Sequence, residues 1–180
     1  IDEMRKHRNY VPFVDHAEPS TNKKYSGLSW LLIFGKREKD KNDQDRLISK
    51  PENPYYSNTD TSKLVLSDAE WKKVLPEDVY LVMRHAETER AFTGKYWNTD
   101  EKGTYYCASC GNTLFRSTSK FSSSCGWPSF FEQENKKSII FKNDFSHNMQ
   151  RIETLCGRCD GHLGHLFDDG PAPTGKRYCM

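Results

Sequence analysis

Thr104-Tyr105-Tyr106-Cys107-Ala108-Ser109-Cys110-Gly111 and Met149-Gln150-Arg151-Ile152-Glu153-Thr154-Leu155-Cys156-Gly157-Arg158-Cys159 decide how this chain folds. Each runs a strand-like segment of β-branched and aromatic residues into a Cys-x-x-Cys knuckle with glycine beside it. Two such knuckles supply four thiolates, a closed tetrahedral shell for one zinc ion. The interval from Cys110 to Cys159 spans most of the β-forming sequence, so a shared metal would clip distant strands together. That role is structural, because four thiolates leave no open position for a substrate. Two local disulfides, or four free thiols, are the alternatives that the spacing leaves open.

Outward from the knuckles the pattern is one of short β segments and frequent turns. Asn112-Thr113-Leu114-Phe115, Ser138-Ile139-Ile140-Phe141, His162-Leu163-Gly164-His165-Leu166-Phe167 and Lys176-Arg177-Tyr178-Cys179 read as strands. Asp169-Gly170-Pro171 and Pro173-Thr174-Gly175 carry turn chemistry. This predicts a mainly β fold of antiparallel sheets rather than a parallel α/β sheet. Helices precede it. Ser67-Asp68-Ala69-Glu70 matches a capping box, with Trp71, Val74 and Leu75 as the apolar face. A second helix is expected from Pro76 to about Glu89, with Val79, Val82, Met83 and Ala86 on one side. The folded unit is therefore placed at residues 67–180. Residues 1–66 hold Pro12, Pro19, Pro51 and Pro54 and the charge run Lys36-Arg37-Glu38-Lys39-Asp40-Lys41, and read as mostly extended or disordered. Gly27-Leu28-Ser29-Trp30-Leu31-Leu32-Ile33-Phe34-Gly35 is the exception: a strand, a docking segment, or an apolar patch packing on the main unit.

The bulk properties are consistent with one compact core beside a polar segment. Of the 180 residues 35% are hydrophobic and 29% charged, with a formal net charge of +2. So balanced a charge does not point to nucleic acid, and none is expected as a partner. The longest apolar run, Trp30-Leu31-Leu32-Ile33-Phe34, is far too short for a bilayer, so no membrane partner is expected. The six cysteines, two pairs and two singles, suit metal and redox chemistry in a reducing compartment, and a cytoplasmic monomer is expected.

Four thiols in knuckles leave two, Cys125 and Cys179. On a strand Arg177 and Cys179 share a face while Tyr178 points away. A guanidinium there would favour the thiolate, whereas a buried structural cysteine beside a surface arginine is the equal alternative. Cys125 lies in a Ser/Gly/Pro-rich loop able to bring it to a partner elsewhere. Trp127, two residues on, is either core or an aromatic wall for an apolar group. His162 and His165 lie near Asp168 and Asp169. Strand alternation would separate the two rings unless Gly164 hosts a bulge. Histidine is the natural proton donor near neutral pH, although a lone histidine is more often structural.

Taken in order, Cys107-x-x-Cys110, Cys125-Gly-Trp-Pro-Ser-Phe130, Cys156-x-x-Cys159, His162-Leu-Gly-His-Leu-Phe167, Asp169-Gly-Pro-Ala-Pro-Thr-Gly175 and Arg177-Tyr-Cys179 resemble the class B methionine sulfoxide reductases. The resemblance runs from about Ser67 to Met180. It implies two antiparallel sheets in a tent-like arrangement with N-terminal helices and a structural zinc clip. It implies thiol-dependent reduction of methionine (R)-sulfoxide, in proteins or as the free amino acid, and so repair of oxidised proteins. Cys179 matches the nucleophile and Cys125 the resolving cysteine, joined by a Cys125–Cys179 disulfide that a thioredoxin-like dithiol reduces. Trp127 matches the wall for the substrate methyl. His165, with His162 and Asp169, would handle protons, Arg177 would support the thiolate, and Cys107, Cys110, Cys156 and Cys159 match the zinc ligands. Members usually continue past the nucleophile with an asparagine and several more residues, which the resemblance implies beyond Met180.

Overall fold

The computed structural model describes Ile33–Gly35 and residues 53–180. Among the described residues, two antiparallel sheets, two short α-helices and two single-turn 3-10 helices make up the fold. β1 (Ile33–Gly35), β2 (Thr104–Cys107) and β3 (Thr113–Arg116) form a three-stranded sheet in that order. The other sheet has the order β4 (Lys120–Phe121), β5 (Ser129–Phe130), β9 (Arg177–Cys179), β8 (His162–Phe167), β7 (Arg151–Cys156) and β6 (Ile139–Asp144). The apolar stretch ending at Gly35 thus contributes a strand, with Ile33 paired to Cys107, while its residues 27–32 and the charge run after it lie outside the described residues.

Aromatic rings hold the sheets together. Phe115 of β3 stacks on Phe130 of β5 with centroids 4.2 Å apart, and Tyr105 of β2 meets the same ring edge-on at 4.9 Å. Tyr178 of β9 packs against Phe115 at 5.5 Å. These rings are nearly all buried, and such pairs add about 1 kcal/mol each beyond the area they remove from water. Because Tyr178 enters this core, strand alternation turns Arg177 and Cys179 to the opposite face.

The helices follow the expected start signals. Ser67 caps α1 (Asp68–Val74): its hydroxyl accepts from the Glu70 amide, and the Glu70 carboxylate accepts from the Ser67 amide at 2.7 Å. α2 (Glu77–His85) buries Val79, Tyr80, Val82 and Met83. It ends four residues before the expected Glu89, because Ala86 takes a left-handed conformation (φ 55°) and the Glu87 amide turns back to the Leu81 carbonyl. Ala86 therefore caps the helix instead of joining its apolar face. Met83 lies over Gly161 so closely that a Cβ there would sit 2.1 Å from the methionine methyl. This seats α2 on the second knuckle.

Two further features have no counterpart in the sequence reading. Strands β4 and β5 are only two residues long, too short for any periodic signal. Residues 53–66 form neither helix nor strand, yet they are tied to the knuckles. The Ser57 amide bonds the Cys110 carbonyl and the Leu64 amide bonds the Arg158 carbonyl. The nearly buried Arg158 guanidinium donates to the carbonyls of Tyr55 and Cys110 and pairs with Asp60 at 2.8 Å. Backbone polar groups satisfied by a distant arginine leave no pattern in local composition.

Candidate active site and metal centre

The turns at the ends of β2 and β7 bring both knuckles to one buried point. The sulfurs of Cys107, Cys110, Cys156 and Cys159 all lie within 4.8 Å of one another. Cys107 and Cys159 approach to 3.7 Å, Cys110 and Cys156 to 3.6 Å. A disulfide needs about 2.05 Å. A tetrahedron of thiolates around zinc, with bonds of about 2.3 Å, needs sulfur–sulfur edges near 3.8 Å. The four residues are thus spaced as a metal shell, and each pair spans both knuckles, so an ion would join the two sheets.

The other two cysteines meet on the outer face of the larger sheet. β5 pairs with β9 so that Ser129 lies opposite Cys179, and the loop before β5 folds back over this pair. Gly126 makes that fold with φ 90°, and a Cβ there would press on Ala91 at 2.8 Å and on the Phe92 ring. Cys125 Sγ then stands 3.2 Å from Cys179 Sγ, 3.0 Å from the Ser123 hydroxyl and 3.4 Å from the Ser129 hydroxyl. The two sulfurs are thus in contact but short of a bond. Hydrogen bonding from Cys179, aided by Ser123 and Ser129, holds the Cys125 thiol down at about 4. The same contact, with burial and the charge on Cys125, pushes the Cys179 thiol well up against the pull of Arg177. The contact therefore favours charge on one sulfur of the pair over charge on both. The sequence left Cys179 open between a thiolate supported by Arg177 and a buried structural cysteine. Here the Cys179 contact, with lesser help from Ser123 and Ser129, lowers Cys125, while Arg177 pulls Cys179 down against the rise that the same contact and burial impose.

Arg177 is gripped by Asp169 through two bonds of 2.8 and 2.9 Å, and its guanidinium lies 4.3 Å above the Phe167 ring. The arginine in turn holds the Asp169 carboxyl below its usual range. Asp169 thus serves the arginine, and Asp168 serves Lys176. The histidines have other partners. A register shift where β7 meets β8 places Leu155 opposite His162 and Thr154 opposite Gly164, so one extra residue of β8 is accommodated. Both rings come to one face with centroids 5.6 Å apart, and His165 lies directly across from Cys179. Gly164 permits this: its φ is 147°, and a Cβ would stand 2.0 Å from the Cys179 carbonyl oxygen. His162 Nδ1 bonds Glu153 at 2.7 Å, and His165 Nε2 bonds Asp144 at 2.8 Å. Burial lowers the His165 pKa from its ordinary value, more than Asp144 restores it.

Trp127 is half-buried against the core, and its indole N–H donates to the Glu89 carbonyl at 3.0 Å. The sequence reading missed Asp144, Glu153, Ser123 and Ser129. Only Glu153, a charge within an alternating strand, left any signal.

Among the described residues no helix is long and apolar enough to cross a membrane. The family model described as the SelR domain matches residues 75–180. Curated relatives carry the name peptide methionine sulfoxide reductase MsrB. Those of Acinetobacter baylyi and Hahella chejuensis are each 52% identical over 118 residues, 66% of this chain and 85% of theirs. That of Methanosarcina barkeri is 53% identical over 114 residues, 63% of this chain and 80% of its own. With both lines of likeness covering more than half of the sequence, this chain belongs to the SelR-domain family of MsrB peptide methionine sulfoxide reductases, a family of oxidoreductases.

Proposed function

We propose that residues 67–180 reduce the R epimer of methionine sulfoxide, in oxidised proteins or as the free amino acid, by a thiol cycle between Cys179 and Cys125. The observation that carries this reading is the 3.2 Å contact between those two sulfurs on the face that also holds Arg177, His162 and His165. The proton on Cys179 passes to Cys125 across that contact, leaving the Cys179 thiolate beside Arg177. Attack on the sulfoxide, with one proton delivered from the His165 side to the oxygen, releases the thioether and leaves Cys179 as a sulfenic acid. Cys125 then attacks Cys179, water departs, and a disulfide forms. An external dithiol of the thioredoxin type supplies two electrons and restores both thiols. Trp127 is assigned to the wall for the substrate methyl, and Asp169 to holding Arg177.

Cys107, Cys110, Cys156 and Cys159 are assigned to one structural zinc, which would supply cross-linking of the sheets and no chemistry at the thiol pair. Residues 53–66 are laid against that centre, and no role is assigned to the chain before them. The unpaired thiols suit a monomer acting in a reducing compartment such as the cytoplasm. Turnover on separated R and S sulfoxides with dithiothreitol tests the reading. Reduction confined to the R epimer is expected, and equal rates on both would overturn the specificity.

A further inference from the structure

The two histidines on the Cys179 face are each fixed by a carboxylate from a different strand, and the bonding leaves no freedom in which nitrogen carries the proton. Asp144, the last residue of β6, spends Oδ1 on the Ser146 amide at 2.8 Å. Its Oδ2 takes Arg151 Nη2 at 2.6 Å and His165 Nε2 at 2.8 Å. A carboxylate that accepts three bonds has no proton to give, so His165 Nε2 must be the donor. In keeping with this, the Ser146 bonds hold the Asp144 carboxyl far below its usual range, with His165 and Arg151 adding to the effect. Glu153 of β7 faces Lys142 at 3.6 Å and takes His162 Nδ1 at 2.7 Å, so there the opposite nitrogen donates.

We propose that Asp144 and Glu153 are positioning residues of the reductase site: they lock His165 as the Nε2–H tautomer and His162 as the Nδ1–H tautomer. His165 Nδ1 and His162 Nε2 are thereby the nitrogens left to exchange protons near Cys179. The inference rests on the proposed thiol cycle, which consumes one proton at the sulfoxide oxygen. It also gives the β6–β7 hairpin a role. Its closing pair, Asp144 opposite Arg151, is an ion pair whose carboxylate reaches over β7 to β8. The groups facing His165 are Asp144 from β6, Arg151 and Glu153 from β7, His162 on its own strand, and Cys179 from β9, with Arg177 two residues before Cys179 held by Asp169.

The test combines nitrogen spectra with kinetics on the full chain. Long-range 1H–15N spectra at neutral pH should show His165 protonated on Nε2 and His162 on Nδ1. Wild type with either tautomer reversed overturns the inference, whatever the variants do. Asp144→Asn should release the His165 tautomer and move its titration to lower pH, because the carboxylate that raises it is gone while Arg151 remains. It should also lower kcat by about 10- to 100-fold with KM changed by less than about threefold. Glu153→Gln should release the His162 tautomer alone. Arg151→Gln keeps both carboxylates, and should leave both tautomers in place while the His165 titration rises. Unchanged tautomers and kcat in Asp144→Asn and Glu153→Gln would overturn the positioning role while the thiol cycle stood. A wild type that reduces neither epimer would instead overturn the thiol cycle, and the spectra would still decide the tautomers.

Discussion

The four-cysteine cluster and the thiol pair are built from the same side chain and reach opposite ends. At the centre four cysteines are nearly or wholly inaccessible, spaced 3.6 to 3.7 Å across the knuckles, and drawn from turns that backbone bonds lock in place. At the pair two half-buried cysteines meet at 3.2 Å, one on a strand and one on a loop. Burial leaves the knuckle thiols with one another and, at Cys156, the Asn112 amide at 3.6 Å, an arrangement that a cation would stabilise. Partial exposure, with Ser123, Ser129 and Arg177 at hand, lets the second pair hold one charge without a metal. Reactivity here is decided by what surrounds the sulfur.

The sharpest way to break this contrast is to remove one ligand from the centre. A structural zinc contributes on the order of 10 kcal/mol to folding. Cys107→Ser should therefore collapse the whole β unit, read as loss of near-ultraviolet circular dichroism and of thiol-pair activity together. Elemental analysis should find one zinc per wild-type chain. Active protein without zinc would sink the assignment.

Removing one thiol from the pair should leave the fold intact and separate two roles. Cys179→Ser should abolish turnover with every reductant, because a hydroxyl is a far poorer nucleophile than a thiolate. Cys125→Ser should still yield about one methionine per enzyme in a single turnover, then stall with thioredoxin while dithiothreitol restores cycling. Peptide mapping of wild type after one turnover should find a Cys125–Cys179 disulfide. Full thioredoxin-driven activity in Cys125→Ser would mean that another thiol resolves the sulfenic acid.

What the sequence made legible follows range. The knuckles, the capping box and the strands with aromatic or β-branched runs are local patterns, and each lies where it was read, within a few residues. The carboxylate partners of the histidines were not legible. Asp144 and Glu153 are joined to them through sheet register and a bulge at β8. Proximity in sequence favoured Asp168 and Asp169, which pair instead with Lys176 and Arg177. The hold of residues 53–66 on Arg158 was hidden for the same reason. Such contacts are set by topology, and composition carries no trace of them.

A pH series sharpens the account of the pair. With Cys125 held at about 4, its thiolate persists as pH falls and is lost only as pH passes down through that value. Iodoacetamide should therefore alkylate Cys125 at a nearly constant rate from about pH 8 to about pH 5. In Cys179→Ser the sulfur partner is gone, Cys125 returns toward an ordinary thiol, and its alkylation should already fall within that range. A wild-type rate that drops tenfold per pH unit from about pH 8 would place the charge elsewhere.

The smallest expected effect comes from the cap of α1. Ser67→Ala removes a hydroxyl that accepts from the Glu70 amide, and leaves the reciprocal bond from the Ser67 amide in place. Loss of such a cap costs about 1 kcal/mol, a fall of about 4 °C in Tm for a domain of this size. α1 contributes Trp71 to the core, and Arg84 of α2 lies over that ring while donating to the Cys159 carbonyl at 3.1 Å. The helices thus pack toward the second knuckle, and Ser67 bonds Glu70 rather than the thiol pair. Ser67→Ala should accordingly lower the unfolding midpoint while kcat and KM for sulfoxide reduction stay as in wild type. A tenfold loss of kcat in folded Ser67→Ala protein would show that α1 reaches the thiol pair, and the separation between the two sites would fail.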